Sequence, residues 1–316
     1  MKPNSLTMLT AGALALGLLV QPVAAADSGR FSQLGWNWDP WILTMLALAV
    51  LGYIRGLSRM NKAVRSRIFG WARSAAFAAG VATLFAALIS PLDALDDQLF
   101  SAHMVQHLVL MMVAPPLLVA GRPGMAWLWA FRLSTRRALG RFWVRTGLRA
   151  LAHALMAPIV VWLLCTAALW FWHLPGPYGW ALASEPVHAL EHTCFFLTSL
   201  MFWSLVLEPL SRRRLDYGTA LLFVATFGVQ NGLLGALLTF AGRPLYVAYL
   251  PTTAAWGLTP LEDQQLSGLI MWIPASLIHL VTLGVLFVAW MHAAERRASL
   301  ATTILRNAAL RNVVLR

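Results

Sequence analysis

Apolar residues in this chain neither alternate with polar ones nor keep to one helical stripe. They run together in blocks of about 20, the length a helix needs to cross a hydrocarbon core. Seven such blocks lie near residues 40–58, 73–92, 102–120, 151–173, 186–207, 217–240 and 266–292, and they predict an all-α polytopic membrane bundle of seven transmembrane helices. Ahead of them Lys2, the apolar run from Leu9 to Val20 and the small residues Ala24-Ala25-Ala26 read as a secretory signal peptide cleaved after Ala26. An uncleaved first anchor is the alternative, and either one leaves Asp27 outside. The expected organisation is a signal peptide over 1–26, a seven-helix membrane domain over 27–294 and a basic tail over 295–316, with no soluble domain.

The polar positions between the blocks set the direction of threading. With residue 27 outside, the linkers 55–73, 121–150 and 208–216 and the tail from 295 fall inside. They hold 21 of the 24 Lys and Arg residues, and only Lys2, Arg30 and Arg243 lie elsewhere. The positive-inside rule then expects a cytoplasmic-membrane protein with its mature N-terminus periplasmic and its C-terminus cytoplasmic. The linker from Gly121 to Ala150 interleaves Trp127, Trp129, Phe142 and Trp143 with arginines, as an amphipathic helix on the inner interface would. The tail from Glu295 reads as a second surface-lying helix, held against anionic membrane lipid.

Composition, at 59% hydrophobic and 11% charged, excludes an ordinary soluble domain. A net charge of +12 would suit nucleic acid, but the basic residues are scattered between spans instead of gathered on a solvated domain, so nucleic acid is excluded as a partner. The only cysteines, Cys165 and Cys194, sit inside apolar blocks, which rules out a disulfide framework and a cysteine zinc site. Any metal must use His, Met or carboxylate.

Those residues are placed unevenly. His103 and His107 open the third block four residues apart, on one helix face, and Met111 continues that stripe. Glu185, His188 and His192 form a second stripe on the fifth block, with Glu191 beside His188, and His173 ends the fourth block. Under the expected topology these five histidines share one layer in the outer half of the bilayer, where ionisable groups are costly and usually functional. Imidazole with thioether favours copper. Met104, Met111 and Met271, at similar depth, complete the candidate ligand set, and Asp93, Glu191 and Asp263 are candidate carboxylates behind the imidazoles. His153 and His292 fall at the inner ends of their spans, and His279 sits alone near mid-bilayer. The Pro115-Pro116 pair must kink or break the third span, and Gln230-Asn231 could line a passage beside that break.

The order of these residues resembles a known family. His103-Met104-Val105-Gln106-His107, Ala114-Pro115-Pro116-Leu117-Leu118 and Gly121-Arg122-Pro123 are similar to the multi-span CtaG proteins that assemble the caa3-type cytochrome c oxidase. His173-Leu174-Pro175 leading to Tyr178, the pair His188 and His192, and Asp263-Gln264-Gln265 leading through Gly268 to Met271-Trp272-Ile273-Pro274 agree with that pattern. The resemblance implies an assembly factor, not an enzyme, acting at the copper-insertion stage in the cytoplasmic membrane. Oxidase subunits are its expected partners, with a periplasmic copper carrier as a further candidate. It implies no settled ligand, so the copper assignment rests on layer and spacing. A copper transporter, with a path through the kinked third span, and a haem-binding redox protein are the competing readings. Two histidines on one helix face cannot flank one haem, which counts against the latter.

Overall fold

The computed structural model describes residues 34–207 and 215–314, with side chains as far as Leu300. The expected signal peptide and most of the linker 208–216 lie outside the described residues. Helices account for nearly all of the rest, with no strand among the described residues. In chain order they are α1 (Pro40–Arg59), α2 (Lys62–Ile68), α3 (Trp71–Leu88), α4 (Pro91–Asp96), α5 (Phe100–Leu108), α6 (Ala114–Gly121), α7 (Pro123–Ala130), α8 (Leu133–Arg145), α9 (Leu148–Leu155), α10 (Pro158–Trp172), α11 (Pro175–Ala183), α12 (Glu185–Leu207), α13 (Tyr217–Thr239) and α14 (Pro260–Val314). Six are long and apolar enough to cross a membrane: α1, α3, the joined α5–α6 rod, α12, α13 and α14 as far as Leu300. The bent pair α9–α10 supplies a seventh. The expected helical membrane bundle is therefore what the chain forms.

The α5–α6 rod is the axis. Most of its residues are buried, because α3, α12 and α14 pack around it, and a helix apolar on all sides is stable only in such a position. One apolar core gathers Phe195, Phe202, Phe223 and Phe227 where α12 meets α13. A second joins Tyr53, stacked on Phe77 at 3.8 Å, to Leu118 and Ala126 among α1, α3, α6 and α7. Leu222, Val229 and Phe240 point outward at 68, 70 and 76% exposure, which suits helices whose outer solvent is lipid. Helices α13 and α14 approach most closely at Gly235 and Gly268, where a Cβ on either would meet the other's carbonyl oxygen at 2.9 or 2.6 Å.

Several elements depart from the sequence pattern. The fourth block does not run straight. Ala157, extended because a proline follows it, breaks the helix before Pro158, and α9 lies 67° off α10. The linker after Gly121 forms three helices instead of one interfacial helix, and α7 packs along α1. There the Trp127 indole donates to the Ala49 carbonyl at 2.9 Å, and Arg59 donates to the Ala130 carbonyl at the end of α7. The last span and the tail are one continuous helix from Pro260 to Val314, with no break where a separate surface helix was expected.

The proline pair acts as expected on the backbone, and side chains of neighbouring helices pair with the groups around the break. Pro115 cannot donate to Met111, four residues back, nor Pro116 to Met112. The chain widens into a π turn over Val109–Val113, closed by Ala114 N–H donating to Val109 O. The freed Met111 carbonyl instead accepts from the Trp203 indole at 3.0 Å. Gln230 spends its amide on Trp170 and Thr166, and Asn231 donates to the Met271 carbonyl at 3.0 Å. Both are helix-to-helix ties.

Candidate metal centre

Two helices bring the imidazoles together. The i, i+4 spacing places His103 and His107 on the face of α5 that meets α12, and steps of three and four place His188, Glu191 and His192 on the answering face of α12. His103 is the hub. Its ring centroid lies 4.2 Å from His107, 5.1 Å from His188 and 5.8 Å from His192, and His188 and His192 are 4.1 Å apart. Glu191 is fully buried between the two α5 histidines, with its carboxylate oxygens 3.8 Å from His103 Nε2 and 3.8 Å from His107 Nε2. Two sets of three ligand atoms each fall within 4.8 Å of one another: His103 with His188 and His192, and His103 with His107 and Glu191.

The contact distances exclude ordinary hydrogen bonding, which ends near 3.2 Å for N–H···O. Both ring nitrogens of His103 and of His107, both oxygens of Glu191, and Nε2 of His188 and His192 are buried with no hydrogen-bond partner among the described residues. So many unpaired buried polar atoms in one place is costly and calls for a bound group. Neutral imidazole nitrogens and one carboxylate, all converging, form a donor set that fits a transition-metal ion. The residues present therefore fit copper, and zinc equally by donor type.

A cavity of about 780 Å³ adjoins this cluster, lined by Asp39, Asp93, Asp96, Asp97, Glu185, His188 and His192 and by apolar residues of α1, α3 and α12 such as Met45, Leu84 and Phe196. Asp96, at the end of α4, is buried to 1% exposure, and its free oxygen lies 3.9 Å from His188 Nε2. Burial first, then the neighbouring Asp93 and Asp97, push its carboxyl up to about 9. The Tyr249 hydroxyl, itself paired with Tyr178 at 2.7 Å, donates to the Asp96 carbonyl and fixes this loop.

Of the residues singled out in the sequence, His103, His107, His188, His192 and Glu191 are brought together. His173 stands one step away, its ring 6.1 Å from His107. Met104, Met111 and Met271 do not line the imidazole cluster but a separate small cavity beneath it, shared with His107 and His173. Asp93 and Asp263, expected behind imidazoles, have other partners. Asp93 accepts from Gln106 at 2.9 Å and Asn37 at 2.6 Å, and Asp263 accepts from the Phe100 and Ser101 backbone N–H groups at 2.7 and 3.1 Å. A helix N-terminus offers unpaired donors that an aspartate satisfies better than any imidazole can. His279 is buried deep in the bundle, edge-on to Phe202 and Phe227, far along the chain from the cluster. Asp96 was passed over in the sequence because three acids precede α5 and spacing does not say which one turns inward.

Residues 51–293 match the family model of the cytochrome c oxidase caa3 assembly factor, and the chain belongs to that family. The chain is also similar to uncharacterized proteins of Mycobacterium bovis and Mycobacterium tuberculosis, each 26% identical over 271 residues, and to one of Mycobacterium leprae, 24% identical over 270 residues. These alignments take in 83 to 84% of the chain but 40% of each relative, so the chain spans less than half the length of the curated relatives it matches. No solved structure matches it.

Proposed function

From membership in the caa3 assembly-factor family, we propose that this protein serves maturation of a cytochrome c oxidase by holding copper as cargo between α5 and α12, at the periplasmic face of the cytoplasmic membrane. The unpaired nitrogens of His103, His107, His188 and His192 around the buried Glu191 carry the reading, because no partner among the described residues compensates their burial. His103 belongs to both three-atom sets and is the central ligand. The acidic cavity raises the local concentration of cations at its mouth and is wide enough for a carrier's metal-bearing loop. Clustering of basic residues in the linkers at the opposite end supports the periplasmic orientation. Oxidase subunits are the recipients, and a periplasmic copper carrier is the donor.

The alternative of a membrane copper transporter has less support, since Trp203 fills the break in the third span and Gln230 ties α13 to α10. Metal analysis of the detergent-purified protein tests the proposal. Copper is expected in the wild-type chain and lowered in the His103→Ala/His107→Ala double variant, whose host loses oxidase activity while the protein stays in the membrane. Unchanged copper content in that variant removes these residues from the site.

A further inference from the structure

Below the imidazole cluster lies a second cavity, about 20 Å³, room for one water-sized sphere. Its walls include the side chains of Met104, Met111, Met112 and Met271, with His107 and His173 on the side toward the cluster. Methionine is ordinary core filler. Two features make this group different. His173 Nδ1 lies 2.7 Å from the Leu169 carbonyl, and a carbonyl can only accept, so Nδ1 carries the hydrogen and Nε2 is left as a bare lone pair. That Nε2 is buried and has no partner among the described residues, in a residue only 6% exposed. A metal-binding histidine is typically set up in this way, by a carbonyl on its other nitrogen. The Asn231 amide meanwhile donates to the Met271 carbonyl and holds that wall of the cavity in place.

We propose that this cavity is a second metal site, specific for Cu(I), in which His173 Nε2 and methionine thioethers are the ligands. The inference rests on the copper reading of the imidazole cluster above it and deepens that reading. Soft thioether with one imidazole selects Cu(I) over zinc or Cu(II), whereas the imidazole and carboxylate cluster does not discriminate among them. A void of this size admits one ion and no hydrated complex. His107 faces both places, with Nε2 3.8 Å from Glu191 and its ring on the cavity wall, so it is the side chain through which the two sites communicate. The protein thus presents a graded path: acidic cavity, then His188 and His192, then His103, then His107, then the thioethers. Ligand softness rises with depth, which draws a cuprous ion inward and leaves divalent ions behind.

The test uses the full chain, purified in detergent with selenomethionine in place of methionine and loaded anaerobically with Cu(I) from a weak chelator. The expected result is two Cu(I) per chain, with selenium scatterers in the copper-edge X-ray absorption spectrum. His103→Ala, which removes the ligand shared by both three-atom sets, should reduce the content to one Cu(I), still selenium-ligated. Met111→Leu/Met271→Leu, a swap that nearly conserves volume, should remove the selenium-ligated ion and leave Zn(II) binding at the imidazole cluster unchanged. Copper bound through nitrogen or oxygen alone in the labelled wild-type chain, which needs no substitution to be informative, overturns the methionine site and leaves the imidazole centre standing. Selenium-ligated copper whose stoichiometry is untouched by His103→Ala upholds the methionine site and removes the imidazole centre. A chain that takes up no copper overturns both.

Discussion

Two clusters of buried polar residues lie close together at one end of the bundle, and they are built on opposite principles. Around Asp263 and Asp93 the hydrogen bonds are short and plentiful: Asp263 caps the start of α5 with both oxygens, Asp93 takes Gln106 and Asn37, and Gln264 accepts from Leu245 N–H at 2.6 Å. Around Glu191 the ring nitrogens of His103 and His107 and both carboxylate oxygens have no hydrogen-bond partner among the described residues, and the carboxylate stands 3.8 Å from each imidazole. Both groups contain residues with 0% exposure, so burial alone does not tell them apart. Satisfaction does. A paired buried carboxylate is a structural clamp, whereas unpaired buried imidazoles cost the fold stability, which is what supports the proposed metal site.

The same substitution should therefore act with opposite sign in the two places. Asp263→Leu strips a charged acceptor from two buried N–H groups of α5 and should destabilise the protein by about 3 kcal/mol, seen as loss of folded protein in a detergent melting assay. His103→Leu removes two unpaired nitrogens at similar volume. It should leave the metal-free melting temperature unchanged or higher, yet weaken copper affinity by about 100-fold in chelator competition, since even partners of ligands contribute 10 to 100-fold. A metal-free melting temperature that falls as far in His103→Leu as in Asp263→Leu would break the comparison.

Glu191→Gln keeps the shape but not the charge between His103 and His107, and should weaken divalent copper binding by about 10-fold, more than it weakens Cu(I). Trp203→Phe lies away from both clusters and leaves the Met111 carbonyl unpaired, which should cost about 1 to 2 kcal/mol in the same melting assay without changing copper stoichiometry.

The smallest expected effect concerns pH. Asp96 keeps its proton in the folded protein up to about 9, while the unfolded chain releases it near the usual carboxylate value. Between those values the folded state binds more protons, so this carboxyl makes stability fall as pH rises through the window. Asp96→Asn should flatten the decline of the metal-free melting temperature between pH 6 and 8, and an identical slope in the variant would show that the Asp96 carboxyl is not held protonated.

Much of this was readable before any fold was known. Apolar blocks of membrane length give the spans to within a few residues, because a backbone in lipid must satisfy its own hydrogen bonds and only a helix does so locally. The same holds for the pairing of His103 with His107 and of His188 with His192, since a helix's own period puts i and i+4 on one side. Less readable were the bend before Pro158 and the docking of α7 on α1, which depend on how neighbouring helices compete for the same surface. The separation of imidazole from thioether was not readable at all. Met104 follows His103 directly in sequence, yet successive helical residues point about 100° apart, so one faces α12 and the other the cavity beneath.

The sequence by itself determined that the chain is a helical membrane protein and that its imidazoles come in helix-face pairs, because both are local consequences of hydrophobic length and the 3.6-residue turn. Only the tertiary structure decided that Glu191 turns toward the α5 histidines, that Asp263 caps α5 instead of backing a ligand, and that the methionines form a place of their own. Those outcomes depend on which face of one helix meets which face of another, and that is settled by packing between residues far apart in the chain.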